Sequence, residues 1–336
     1  MARTEQNEDH AMSFASTTDL AEKKVSFEEL GPGLYGYTAE GDPNSGVIIG
    51  DDSVLVVDAQ ATPRMAQDVI ARIRTVTDKP VKHVVLSHYH AVRVLGASGY
   101  EGAEIIASDV TRDMIVERGQ QDMDSEIGRF PRLFQGKESI PGLTWPHITF
   151  QRKMTLWLGR REVQIIHIGR SHTAGDTVVW LPEERVAFAG DTVEFGATPY
   201  CGDAHFTDWP DTLAALKALG PRAMVPGRGR SLLTEADIAE GIEGTASFTT
   251  DLFRIAKEGV AAGQELGEIY AAAMERMRPK YGHWVIFEHC MPFNVSRAYD
   301  EARGLDRPQI WTAERDVEMW RALEGSRPVK SAELEG

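Results

Sequence analysis

The chain has 336 residues, enough for one large α/β domain with an elaboration, and a formal net charge of −15. That acidity argues against a surface that tracks phosphates, and so against nucleic acid as a partner, while two cysteines, Cys201 and Cys290, make neither a disulfide framework nor a cysteine-rich metal module. No apolar run approaches a membrane span, and the amino terminus lacks a basic stretch followed by an apolar one, so the expectation is a cytoplasmic chain without membrane contact.

Residues 1–24 are polar, without a sustained apolar period, and read as a flexible arm. Short apolar runs at 34–37, 47–49 and 54–57 follow, separated by Gly, Asp, Pro and Asn as in an antiparallel meander. Met65, Val69, Ile70 and Ile73 stand at helical spacing. The strand expected over 81–86 delivers Ser87-His88-Tyr89-His90 at its end. From a tight loop, imidazoles two positions apart can face one ion, which is what a borderline metal asks of nitrogen ligands.

A further strand is expected over 104–107, after which Asp109 can cap a helix through Met114 and Val116. The segment 118–147 is irregular and carries Phe130, Phe134 and Trp145, and such an insert beside the histidine loop reads as a pocket wall. Strands return at 154–157, 163–168, 177–181 and 186–189, then a helix through Leu213, Leu216 and Leu219 and a strand at 223–225. Helical spacing resumes over 235–277 and 316–323. Between these lies the aromatic patch 282–293, with His283 and His289, which fits a lid, a homodimer contact or a docking surface for the helices. Spacing alone makes neither His205 nor His289 a ligand.

Several of these segments, in order over residues 33–235, resemble the metallo-β-lactamase fold superfamily, with its glyoxalase II-like and lactonase-like branches. His88-Tyr89-His90-Ala91-Val92-Arg93 stands where that family has H-x-H-x-D-H, and Gly169-Arg170-Ser171-His172-Thr173-Ala174-Gly175 is similar to its G-x-x-H-T-x-G. Ala189-Gly190-Asp191 matches the strand ending in Gly-Asp. Pro226-Gly227-Arg228-Gly229 matches the turn that usually carries the last histidine, and the strand ending in Asp58 matches one whose terminal Asp supports the site. The resemblance implies an αββα sandwich over residues 25–235, with 236–336 as a helical extension packed on it. It also implies a metal held by His88, His90 and His172, with Asp191 as a fourth ligand or an orienting neighbour, and Asp58 and Ser87 behind them.

The chain departs from the family at three ligand positions. Arginine stays protonated and has no lone pair to give, and valine has no donor atom, so Val92, Arg93 and Arg228 remove the second metal site. One transition-metal ion is therefore expected, zinc first, with iron or manganese as alternatives. Arg93 and Arg228 offer forked donors to an anionic substrate group, or else neutralise Asp191. Tyr89, between two ligands, is a candidate donor to a developing oxyanion. The expected function is a metal-dependent hydrolase acting on a small molecule, an activated ester, thioester, lactone or aryl electrophile with an anionic group. The alternatives are a mononuclear iron dioxygenase of the persulfide dioxygenase type and a non-catalytic carboxylate-binding relic of the fold.

Overall fold

A computed structural model describes residues 23–324, so the arm expected over 1–24 lies outside the described residues except for Lys23 and Lys24. Strands β1 (Val25–Gly31), β2 (Leu34–Ala39), β3 (Ser45–Ile49) and β4 (Val54–Val57) form the antiparallel meander. Helix α1 (Pro63–Arg74), started by Thr62, whose hydroxyl accepts from Met65 N at 3.1 Å, crosses over to place β5 (Val81–Val85) parallel to β4. Helix α2 (Ala91–Val94) leads to β6 (Glu104–Ser108), and α3 (Asp109–Arg129) leads to β7 (Ile148–Phe150), completing a seven-stranded sheet in the order β1 to β7.

The second sheet has β8 (Lys153–Leu158), β9 (Arg161–His167), β10 (Thr177–Leu181) and β11 (Val186–Gly190) as antiparallel neighbours. Helix α4 (Trp209–Ala218) returns β12 (Ala223–Pro226) parallel to β11. Helices α5 (Glu235–Ala261), α6 (Leu266–Tyr281), α7 (Phe287–Ala302) and α8 (Ala313–Glu324) follow. None of the described helices is long and apolar enough to cross a membrane.

Strand periodicity explains the layers. Leu55 and Val57 of β4 point between the sheets toward a set that includes Val179, Leu181 and Phe188, while Val54 and Val56 point outward to Ala66, Val69 and Ile73 of α1. On the other side, Val178, Trp180 and Ala187 pack beneath α4 to α7. Each central strand is thus covered on both faces, which is why its sequence is apolar without alternation.

Two elements differ from the sequence reading, and a third decides among its alternatives. Residues 25–31 form β1, which pairs with β2 at the sheet edge. Helix α3 is capped by Ser108 and not Asp109, its hydroxyl accepting from Thr111 N at 3.1 Å, and it runs on to Arg129 through half of what reads as an irregular insert. The aromatic patch supplies the first turns of α7, where Phe287, Met291 and Phe293 are buried, so it docks the helices.

The sheets approach closely at Gly46. A Cβ there would lie 2.2 Å from Cδ1 of Phe188 across the sandwich. Gly46→Ala is expected to destabilise the protein by about 1–3 kcal/mol, the usual cost of overpacking, with part recovered by adding Phe188→Leu. Denaturant midpoints for both variants check this; an unchanged midpoint for Gly46→Ala would contradict the close approach.

Candidate metal centre

The parallel pairs β4/β5 and β11/β12 send their carboxyl ends to one edge of the sandwich, and every motif residue sits in the loops there. Asp58 follows β4 with a left-handed φ of 62°, which turns its carboxylate back toward the loop after β5. That carboxylate accepts from Ser87 N and Ser87 Oγ, each at 2.8 Å, and Ser87 Oγ lies 2.9 Å from His88 Nδ1. Asp58 therefore holds the histidine loop through Ser87.

The three histidines surround a common point. Their ring centres are 4.9 Å (His88–His90), 4.6 Å (His88–His172) and 4.8 Å (His90–His172) apart, with the rings nearly perpendicular to one another. All are buried, and one nitrogen from each falls within 4.8 Å of the others. His90 Nδ1 faces His172 Nε2 at 2.9 Å, while His88 Nε2 is buried without a hydrogen-bond partner. The opposite nitrogens are fixed: His90 Nε2 by Asp203 at 3.2 Å, His172 Nδ1 by the Tyr200 carbonyl at 2.7 Å. An orphaned nitrogen, two others facing inward and every outer nitrogen held fit a three-imidazole site for one ion. Among the described residues no second group of this kind occurs.

Burial pushes His88 well below its ordinary pKa and His172 down to about 3, which keeps both as the neutral imidazoles a metal needs. Burial acts the same way on His90, but Asp122, Asp203 and Glu126 carry it up to about 9, so a proton and an ion compete for its inward nitrogen.

Asp191 stands beside the triad, with Oδ2 3.5 Å from His172 Nε2 and 3.9 Å from His88 Nε2. Both its oxygens are also taken by arginine. Arg93 Nη2 bonds Oδ1, and Arg228 Nη1 bonds Oδ2 at 2.9 Å. Burial alone would raise the Asp191 carboxyl, but Arg93 and Arg228 hold it well below the usual carboxylate range. Arg93 is wholly buried and also donates to the carbonyls of Asn44 and Gly227, each at 2.8 Å, and it does not line the cavity beside the triad. Arg228 does, and it shares Nη1 between Asp191 and Glu194, the latter also at 2.9 Å. Burial and the Asp191 charge push the Glu194 carboxyl up, so Asp191 is the ionised member of that pair. Gly227 has no room for a side chain, because a Cβ would sit 2.3 Å from Asp191 Oδ1.

Tyr89 is buried in the core layer under the first sheet and bonds Asp203 instead of lining the cavity. His205 and His289 also stay off the cavity wall; His289 lies against Phe130 with ring centres 3.7 Å apart.

Sequence reasoning missed the support that α3 gives the site. Arg118 Nη1 donates to Asp203 Oδ1 at 3.0 Å, Asp122 accepts from Ala91 N at 2.7 Å, and Glu126 accepts from Val92 N at 3.1 Å. Asp122 and Glu126 thus satisfy the first free N–H groups of α2, directly after His90. Arg129 from the same face joins His90, His172, Tyr200 and Arg228 around a small cavity, with Val92, Phe130, Leu133 and Ile286 as its apolar wall. The spacing of Arg118, Asp122, Glu126 and Arg129 along one helical stripe is the signal that could have found them.

A sequence profile of the metallo-beta-lactamase superfamily matches residues 38–228. A metallo-beta-lactamase type 2 of Bacteroides fragilis is 24% identical over 221 residues, covering 61% of this chain and 79% of its own. A linear primary-alkylsulfatase of a Pseudomonas species is 21% identical over 226 residues, 56% of this chain and 42% of that enzyme. Among solved structures, a metallo-beta-lactamase from Pontibacter korlensis superposes with a TM-score of 0.53 at 18% identity, over 68% of this chain and 99% of that one. The fold is therefore shared, and α5 to α8 lie beyond the matched segment.

Arg93→Met would leave the Asp191 charge buried with one partner fewer, and it is expected to cost about 3–5 kcal/mol of stability. Arg93→Lys should cost less, since it keeps the charge and loses only the fork. Chemical denaturation checks both, and a stability equal to wild type in Arg93→Met would show that the pair contributes nothing.

Proposed function

The chain belongs to the metallo-beta-lactamase superfamily, and from that premise we propose that it is a metal-dependent hydrolase with a single ion at His88, His90 and His172. The convergence of three inward imidazole nitrogens, each backed by a second hydrogen bond, is the observation that carries this reading. An all-nitrogen donor set suits zinc. Bound there, the ion would supply a Lewis acid for a carbonyl or related electrophilic carbon and bring the pKa of a coordinated water toward neutrality.

The remaining roles belong to the chain. Ser87 and Asp203 set the tautomers of His88 and His90, so the inward nitrogens are the ones left free. Asp191, kept ionised by two arginines, is placed to accept a hydrogen bond from the attacking water and orient it. Its oxygens are so committed to arginine that the two-histidine, one-carboxylate set of an iron dioxygenase is the weaker reading. Val92 offers nothing to a leaving group, which favours substrates with an activated one, such as thioesters, lactones and aryl compounds.

Protein purified without chelators is expected to carry about one transition-metal ion per chain. His172→Ala should lower metal content and turnover together, because His88 and His90 alone make a poor site, whereas Asp191→Asn should lose turnover while keeping much of the metal. Elemental analysis and a thioester and lactone panel on the same preparations decide the matter. Two tightly held ions, or full activity in His172→Ala, would end this reading.

A further inference from the structure

Arg129 ends α3 and is 1% exposed. Its guanidinium carbon lies 4.7 Å from the ring centre of Tyr200 and 4.3 Å from that of Phe293. Nη2 reaches Glu126 Oε1 at 3.4 Å and the guanidinium also interacts with the Tyr200 hydroxyl, while Nε and Nη1 have no acceptor in hydrogen-bonding geometry among the described residues. Glu126 is itself engaged by Val92 N. Buried polar groups are nearly always hydrogen-bonded, and a guanidinium has five N–H donors in a fixed fork, so unused donors on the wall of a cavity mark a place for an acceptor from outside. The other arginine on that wall, Arg228, is already committed to Asp191 and Glu194.

We propose that Arg129 is the seat of the substrate's anionic group, a carboxylate on its unused donors, with a flat apolar or aromatic body against Tyr200, Phe130 and Ile286 and the electrophilic carbon toward the histidines. The identity of the ligand as a substrate rests on the hydrolase reading; the binding does not. Tyr200 neighbours both ends: its ring centre stands 5.6 Å from that of His90 and 4.7 Å from the Arg129 guanidinium carbon. A carboxylate matches the guanidinium fork, and the low-dielectric surroundings strengthen the pair.

The test is binding of benzoate against benzamide, which share a shape and differ in charge, measured calorimetrically on zinc-loaded and on chelator-treated full-length protein. Wild type is expected to prefer benzoate by roughly 10- to 100-fold in both states. Arg129→Gln should abolish that preference, and Arg129→Lys should restore part of it. A merely structural Arg129 would instead lower the melting temperature of both variants and leave the ratio of the two affinities unchanged. A crystal of wild type soaked with 4-bromobenzoate removes any dependence on how the variants fold, since the bromine signal fixes the ring and hence the carboxylate. A carboxylate on Arg228 or on the histidines, or equal affinity for benzoate and benzamide, overturns the proposal. Benzoate on Arg129 without turnover of any carboxylate-bearing thioester or lactone would sustain the anion seat and remove the hydrolase reading.

Discussion

The edge that carries the histidines is organised by one carboxylate buried between two guanidinium groups. Asp191 cannot leave that position without stranding Arg93 and Arg228, and neither arginine can leave without exposing a buried negative charge. The clamp also joins the two sheets. Arg93 comes from α2, Asp191 from the end of β11, and the carbonyls that complete the Arg93 fork come from Asn44 and Gly227 on opposite halves of the molecule. Asn44 strengthens the seam by donating its side-chain amide to the carbonyls of Pro226 and Gly229 at 2.9 Å each. Two permanently charged side chains supply positive charge to this edge and themselves offer no coordination site.

Electrostatics then sorts the ionisable groups into fixed states. Deep burial favours neutral His88 and His172, and the carboxylates of α3 and Asp203 make His90 the most basic ring of the three. Asp191 is ionised, and Glu194, one bond further from the triad, is pushed toward protonation by burial and by Asp191 itself. Each state follows from burial or from a charged neighbour that is held in place, so the charge pattern of the edge is built in before anything binds.

The sandwich was legible because both sheets bury two faces, which writes continuous apolar runs such as Val54 to Val57 and Val186 to Ala189, and because the motif histidines stand at short spacings after strand ends. The same logic hid α3. A helix normally announces its buried face by apolar residues at helical intervals, but here that face carries Arg129 together with Arg118, Asp122, Ser125 and Glu126, the last four hydrogen-bonded to partners remote in sequence. Reading buried positions as apolar therefore truncated the helix at about Arg118, so Asp122, Glu126 and Arg129 went unnoticed. Tyr89 misled in the opposite way: its place between two histidines suggested chemistry, but the tight loop turns the intervening side chain into the core.

Helix α3 has a mechanical role that its hydrogen bonds alone do not convey. From Arg118 to Arg129 it spans about 16 Å as one rigid rod. Along that length it holds Asp203 behind a histidine, ties down the two peptide groups that follow His90, and ends inside the cavity. Anything that displaces Arg129 along the rod's axis also displaces the loop that carries two imidazoles. If the cavity and the triad bind a ligand and an ion as proposed, any coupling carried by this rod would run equally in both directions: whatever factor the ligand contributes to holding the ion, the ion would contribute to holding the ligand.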